Sequence, residues 1–117
     1  MADRVIFCSF NKPVPGRETP AIASFRDAGA YCQGMLEAGR IKSYDQVLLD
    51  PHGGLGGFML IKGDAGGLAQ IAMDPVWQEI CFRANATVDG FGVVGGTTGE
   101  ATVPMMEAFA VASAALV

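Results

Sequence analysis

Three sets of side chains in this 117-residue chain could do chemistry. The first lies in Asp50-Pro51-His52-Gly53-Gly54-Leu55-Gly56-Gly57, which holds the only histidine. An imidazole titrates near neutral pH, so His52 is a candidate general base wherever a substrate comes within hydrogen-bond reach. A solvated loop histidine is the plainer alternative. Its four glycines look like a phosphate cradle, but the stretch lacks the GK[ST] ending and no helical pattern follows, which leaves a hairpin connection. The second set is Tyr44, Asp45, Asp50 and Asp89, polar groups on or beside extended stretches that could line a cleft. Of these, Tyr44 could position a substrate and transfer a proton. The third set is Tyr31, Trp77, Phe82 and Phe91, candidate ligand contacts that would form the apolar wall of such a cleft, with core packing as the alternative.

Other patterns exclude more than they assign. Gly90-Phe91-Gly92-Val93-Val94-Gly95 spells GxGxxG, but a dinucleotide fingerprint turns from a strand straight into a helix. Here the glycines fall within a predicted strand, so no cofactor is expected. A zinc site takes three or four ligands, and the chain has no second histidine, HxxxH or CxxC, so no metal is expected either. Cys8, Cys32 and Cys81 sit apart in apolar runs, without an adjacent activating histidine, and read as buried free thiols in a reducing compartment. The net charge of -4 and the eight scattered Lys and Arg residues argue against nucleic acid and against a membrane surface. The start of the chain, Met1-Ala2-Asp3-Arg4, has no signal-peptide pattern, and the apolar tract from Met105 to Val117 is too short for a span, so a cytoplasmic protein is expected.

The elements that must position these residues follow from pattern. Val5 to Phe10 reads as a strand, closed by the prolines of Asn11-Lys12-Pro13-Val14-Pro15-Gly16. Thr19-Pro20 reads as a helix cap with proline in the first turn, and Ile22, Phe25, Gly29, Cys32 and Leu36 recur at helical spacing until Gly39 ends the helix. Ile41 to Leu49 and Phe58 to Ile61 are the next two strands, joined by the His52 loop. Gly63 to Gly67 reads as a turn and Leu68 to Met73 as a short helix. Asp74-Pro75 restarts it, with Val76, Trp77, Ile80, Cys81 and Ala84 facing inward. Val88 to Val94 is the fourth strand, and Thr102-Val103-Pro104 opens a last helix.

The order β-α-β-β-α-β with a terminal helix predicts a single α+β domain, 1–117, of ferredoxin-like topology with an antiparallel sheet. Val5-Ile6-Phe7, Val47-Leu48-Leu49 and Phe58-Met59-Leu60-Ile61 do not alternate in polarity, so both faces of that sheet need cover. Two helices cover one face. A second copy of the sheet, in a homodimer, or the last helix alone would cover the other. That helix is apolar on nearly every side, so it should pack into a groove of its own or a neighbouring subunit, and removing it should promote aggregation.

Asn11-Lys12-Pro13-Val14-Pro15-Gly16-Arg17-Glu18 before a long helix, together with Asp74-Pro75-Val76-Trp77 and a glycine-bearing strand, resembles the dimeric α/β-barrel superfamily. That superfamily includes antibiotic-biosynthesis-type monooxygenases, YCII-like and EthD-like proteins. The resemblance covers nearly the whole chain and rests on backbone signatures, so it implies a sheet-to-sheet dimer but no subfamily activity. Three functions stay open: a homodimer binding a small apolar ligand between sheet and helices, a cofactor-independent monooxygenase- or isomerase-like enzyme acting on a small aromatic or ketone-bearing substrate, and a structural or assembly module.

Overall fold

The computed structural model describes residues 3–116. Met1, Ala2 and Val117, at the ends of the two terminal stretches discussed above, lie outside the described residues. The chain runs β1 (Arg4–Phe10), β2 (Lys12–Pro13), α1 (Glu18–Glu37), β3 (Ser43–Leu48), β4 (Gly57–Gly63), α2 (Ala65–Met73), α3 (Pro75–Thr87), β5 (Val88–Asp89), β6 (Gly92–Thr97), a 3-10 turn (Gly99–Ala101) and α4 (Thr102–Ala114). Four strands form an antiparallel sheet in the order β3-β4-β1-β6, the ferredoxin-like arrangement expected from the element order.

The register decides which side chains meet the helices. Ile6 lies opposite Ile61 and Gly95, and Tyr44 opposite Ile61, so these positions share one face. On that face Ile6, Cys8, Met59 and Ile61 join Cys32 of α1, Leu68 and Ile71 of α2 and Trp77 of α3 in one buried core. Burying a side chain of this size contributes roughly 1.5–3 kcal/mol. The other face carries Val5, Phe7, Val47, Phe58, Leu60 and Val94, with the Phe7 and Phe58 rings 5.4 Å apart. Among the described residues no helix buries it: Val5, Phe7, Val47, Phe58 and Leu60 stay partly exposed and Val94 is exposed. The terminal helix, one of the two covers considered, buries none of its described residues.

Asp64 and Asp74 cap the two helices between β4 and β5. The Asp64 carboxylate accepts from the Gly67 amide at 2.7 Å and that of Asp74 from the Val76 amide at 3.0 Å, each satisfying an orphan donor of the first turn. Pro75 follows at the first helical position, as expected. Ala65-Gly66-Gly67 is therefore the first turn of α2 and not a loop. Gly39 ends α1 with φ +73°.

Several expectations need correction. The first helix opens one residue before Thr19, with Arg17 as its cap residue, and Thr19-Pro20 lie inside its first turn. There the missing proline donor costs nothing, because first-turn amides have no intrahelical acceptor. Of the predicted inward face of α1, Gly29 and Cys32 are buried, Leu36 packs on the core and Phe25 lines a cavity described below, but Ile22 is 56% exposed and Ala21 and Ser24 are buried in addition. Val76 of α3 likewise faces outward.

The fourth strand is interrupted. Val88–Asp89 pairs with Lys12–Pro13 in a separate two-stranded ladder, and Gly90, at φ +69°, turns the chain before β6 begins at Gly92. Gly95 to Thr97, read as a turn, completes β6. A radius of gyration of 16.1 Å, against about 13 Å for a compact chain of this size, fits a terminal helix that stands away from the body.

Candidate functional site

Between α1, α3 and the covered face of the sheet lies a cavity of about 390 Å³. Its existence follows from small side chains on the facing helices. Ala21, Ser24 and Ala28 of α1 and Ala84 of α3 line it, and side chains this short leave space above the sheet. Cys8, Met59, Trp77 and Ile80 form the buried inner end. Phe10 and Phe25, whose rings meet edge to face at 5.7 Å, make a side wall. Asn11, Lys12, Ile22, Leu48 and Leu49 are exposed and surround the mouth.

Close backbone approach shapes that mouth. A Cβ on Gly56 would strike the Asn11 carbonyl, and the Gly56 amide donates to the Phe10 carbonyl at 2.9 Å. This glycine brings the end of the His52 loop against the end of β1. Gly90 does the same on the other side, because its positive φ suits glycine and a side chain there would strike the Asn11 amide. The glycines of the GxGxxG stretch thus serve a turn and a strand, with no helix N-terminus following.

The thiols at the site are protonated. Burial pushes Cys8 up to about 12, and the neighbouring Cys81 and Cys32 thiols add to the effect. Burial alone pushes Cys32 up to about 12 and raises Cys81. The Cys32 thiol donates to the Met59 thioether at 3.6 Å. A nucleophilic thiolate needs a depressed value, so these cysteines are packing residues at neutral pH.

The sequence-derived candidates divide. Trp77 and Phe91 line the cavity. Tyr31 does not; its ring stands 5.5 Å from Trp77, and its hydroxyl donates to the Asp74 carboxylate at 2.6 Å. Burial and that bond raise the Tyr31 hydroxyl, while the same bond and the Val76 amide hold Asp74 below the usual aspartate range. Phe82 is 72% exposed on the outer side of α3. Five residues separate it from Trp77, which at 100° per residue puts it well round the helix.

The proton-transfer candidates lie elsewhere. His52 is exposed in its loop, with Nδ1 2.9 Å from the Asp50 carbonyl oxygen. The Tyr44 hydroxyl donates to Gln33 at 2.8 Å in a shallow groove between α1 and β3, which shares only Ile22 and Phe25 with the cavity. Asp45, Asp50 and Asp89 line neither. Sequence reading passed over Lys12, Phe10, Met59 and Ser24 as site residues. The small residues of α1 were the available signal, since a helix face of Ala and Ser leaves space against a sheet. Among the described residues no group of three or more His, Cys, Asp or Glu side chains could hold a metal ion. No described helix is long and apolar enough to cross a membrane.

Comparison with known proteins places the fold. No protein-family model matches the sequence, and no curated protein matches it significantly. Among solved structures, the chain is similar to a dimeric ferredoxin-like protein of unknown function from Jannaschia sp., with a TM-score of 0.60 and 13% identity over 82% of this chain and 98% of that one. A second dimeric ferredoxin-like protein of unknown function, from Bacteroides fragilis, matches at a TM-score of 0.58 and 9% identity, covering 81% and 96%. A hypothetical Arabidopsis thaliana protein matches at 0.62 and 12%, covering 85% and 89%.

Proposed function

We propose that this protein is a homodimer, associating through the uncovered sheet face, in which each protomer binds a small apolar ligand between sheet and helices. The observation that carries the reading is the cavity, whose volume falls in the range of small-molecule sites and whose inner end is apolar throughout. The unpartnered apolar face of the sheet supports the dimer, as does the description of two fold relatives as dimeric. The enzymatic alternative, a cofactor-independent oxygenase or isomerase, would need proton-transfer groups at the cavity, and Tyr44 and His52 stand outside it. Binding is therefore the preferred reading. The cytoplasm, as the compartment of a chain with three protonated free thiols, belongs to the same proposal.

Filling the cavity tests it. Ala84→Leu places a larger apolar side chain on α3 at the cavity wall without changing helix propensity much. In a thermal-shift screen of small apolar acids and phenols, the wild type should gain stability with some members and the variant with none. Equal shifts in both proteins would place binding elsewhere, and no shift in either would remove the reading.

A further inference from the structure

We propose that Ser24 is the polar anchor of the cavity and that the ligand is a neutral molecule, an apolar body carrying one hydroxyl or carbonyl oxygen that meets the Ser24 hydroxyl. This rests on the reading of the cavity as a ligand site and adds an anchoring residue and the ligand's chemical class. Two polar residues are buried among those described, Ser24 of α1 at 6% exposure and Thr87 of α3 at 8%. The Thr87 hydroxyl lies 3.0 Å and 3.1 Å from the carbonyl oxygens of Arg83 and Ala84, so its own helix satisfies it. The Ser24 hydroxyl makes no such bond to any described residue. It is not sealed in either, because no side-chain oxygen or nitrogen among the described residues is both cut off from solvent and unpaired. A hydroxyl withdrawn this far without a partner is destabilising until something pairs with it.

Helix phase sets the direction of the side chain. Ser24 lies three residues after Ala21 and four before Ala28, so the three share one stripe of α1, and all three line the cavity. Ile22, Ala23, Arg26 and Asp27, on the other sides of the helix, are exposed. Side chains on a helix lean toward its N-terminus, which tips the Ser24 hydroxyl toward Ala21. The little surface that the hydroxyl keeps therefore opens to the cavity.

The remaining polar groups of the lining are aimed elsewhere or bond weakly. Alternation along β1 puts the Ser9 side chain with Phe58 on the uncovered face of the sheet. Lys12 lies on the ribbon side that it shares with Asp89, which does not line the cavity, opposite Pro13 and Val88, which do. Asn11 is exposed at the mouth, with its amide against Gly90. Cys8 and Cys81 present protonated thiols, which are weak hydrogen-bond partners. A charged ligand would meet no opposite charge in the buried part of the cavity, and a hydrocarbon would leave the Ser24 hydroxyl unpaired. A single neutral oxygen on an apolar body satisfies both conditions.

Trp77 is the only tryptophan in the chain and lies at the inner end, so its emission reports entry of a ligand body directly. The test is a fluorescence titration of the full chain with 4-ethylphenol, its hydrocarbon isostere 4-ethyltoluene and the charged 4-ethylbenzoate, for wild type, S24A and S9A. S24A should weaken the phenol about tenfold and move the hydrocarbon by less than about twofold, while S9A should leave both as in the wild type. The benzoate should bind the wild type more weakly than the phenol does. Because the hydroxyl has no partner within the chain, S24A should also keep or raise the thermal midpoint measured without ligand. A phenol affinity unmoved by S24A, or equal losses for phenol and hydrocarbon, overturns the assignment of Ser24 and leaves the cavity as a site for ligands of another class. So does a benzoate that binds more tightly than the phenol, or a ligand-free S24A protein that melts lower. If no probe alters Trp77 emission in the wild type, the cavity reading falls and this proposal with it.

Discussion

The two faces of the sheet are made by the same strands from similar residues, yet they meet different surroundings. On β4, Met59 and Ile61 turn toward the helices and are buried, Ile61 completely, while Phe58 and Leu60 turn away and stay half-exposed. Composition alone does not separate the two sets. What separates them is that α1, α2 and α3 all return to one side, so the chain runs out of cover before its second apolar face is closed. The covered face keeps a cavity because the helix over it presents Ala21, Ser24 and Ala28. The uncovered face is filled by Phe7, Phe58 and Leu60 and offers an apolar packing surface. One face is thus suited to a small guest and the other to a flat, extended partner.

Adjacent substitutions on β4 should break this contrast most sharply. Ile61→Ala removes a wholly buried side chain and should cost about 2–5 kcal/mol of stability in urea unfolding. Leu60→Ala, one residue away on the open face, should cost under about 1 kcal/mol within the protomer and act instead on association. Equal losses at the two positions would mean that the open face is packed as tightly as the covered one.

Truncation after Ala101 should have a smaller effect on the protomer. α4 buries none of its described residues, so the thermal midpoint of the remaining fold should move by less than about 4 °C, within what a 1 kcal/mol change produces. A loss of cooperative unfolding would show that α4 supports the core. The covered face also sets a pH dependence. Cys8 and Cys32 have folded values near 12 against 9.0 for a free thiol, so the unfolded chain loses protons first as the pH rises. Stability is therefore full below pH 9 and falls between there and 12. Asp74 has the opposite sign: its depressed value contributes stability above the ordinary aspartate range, lost as the pH falls below 3.8. Tyr31→Phe should flatten the acid limb, and an unchanged limb would contradict the Tyr31–Asp74 bond.

Much of the fold is legible in the sequence because its signals are local. Asp74-Pro75 states a cap and a first-turn proline within two residues, and Gly39 marks a helix end by its conformation. The ladder of Lys12–Pro13 with Val88–Asp89 left no trace, since two-residue strands show no period and Pro13 argued for a loop. On α1 the pattern holds at Gly29, Cys32 and Leu36 and fails at Ile22 for a physical reason: Ile22 looks like a core residue and Ala21 and Ser24 do not, yet close approach of α1 and α3 favours the small ones. The same preference leaves the cavity. Trp77 and Phe91 reach it because helix phase and the Gly90 turn aim them there. Phe82, Tyr31, Tyr44 and His52 were chosen by residue type, and type carries no information about which way a side chain points.

Sedimentation equilibrium of the wild type and of Leu60→Asp at micromolar concentration tests the contrast between the faces most directly. A charge at the centre of the open face should be tolerated by the protomer and forbidden in a desolvated interface. The wild type should sediment at twice the mass of one chain, and the variant, still folded by circular dichroism, at the mass of one. A wild-type monomer, or a variant that remains a dimer, would contradict the assignment of this face to a second copy.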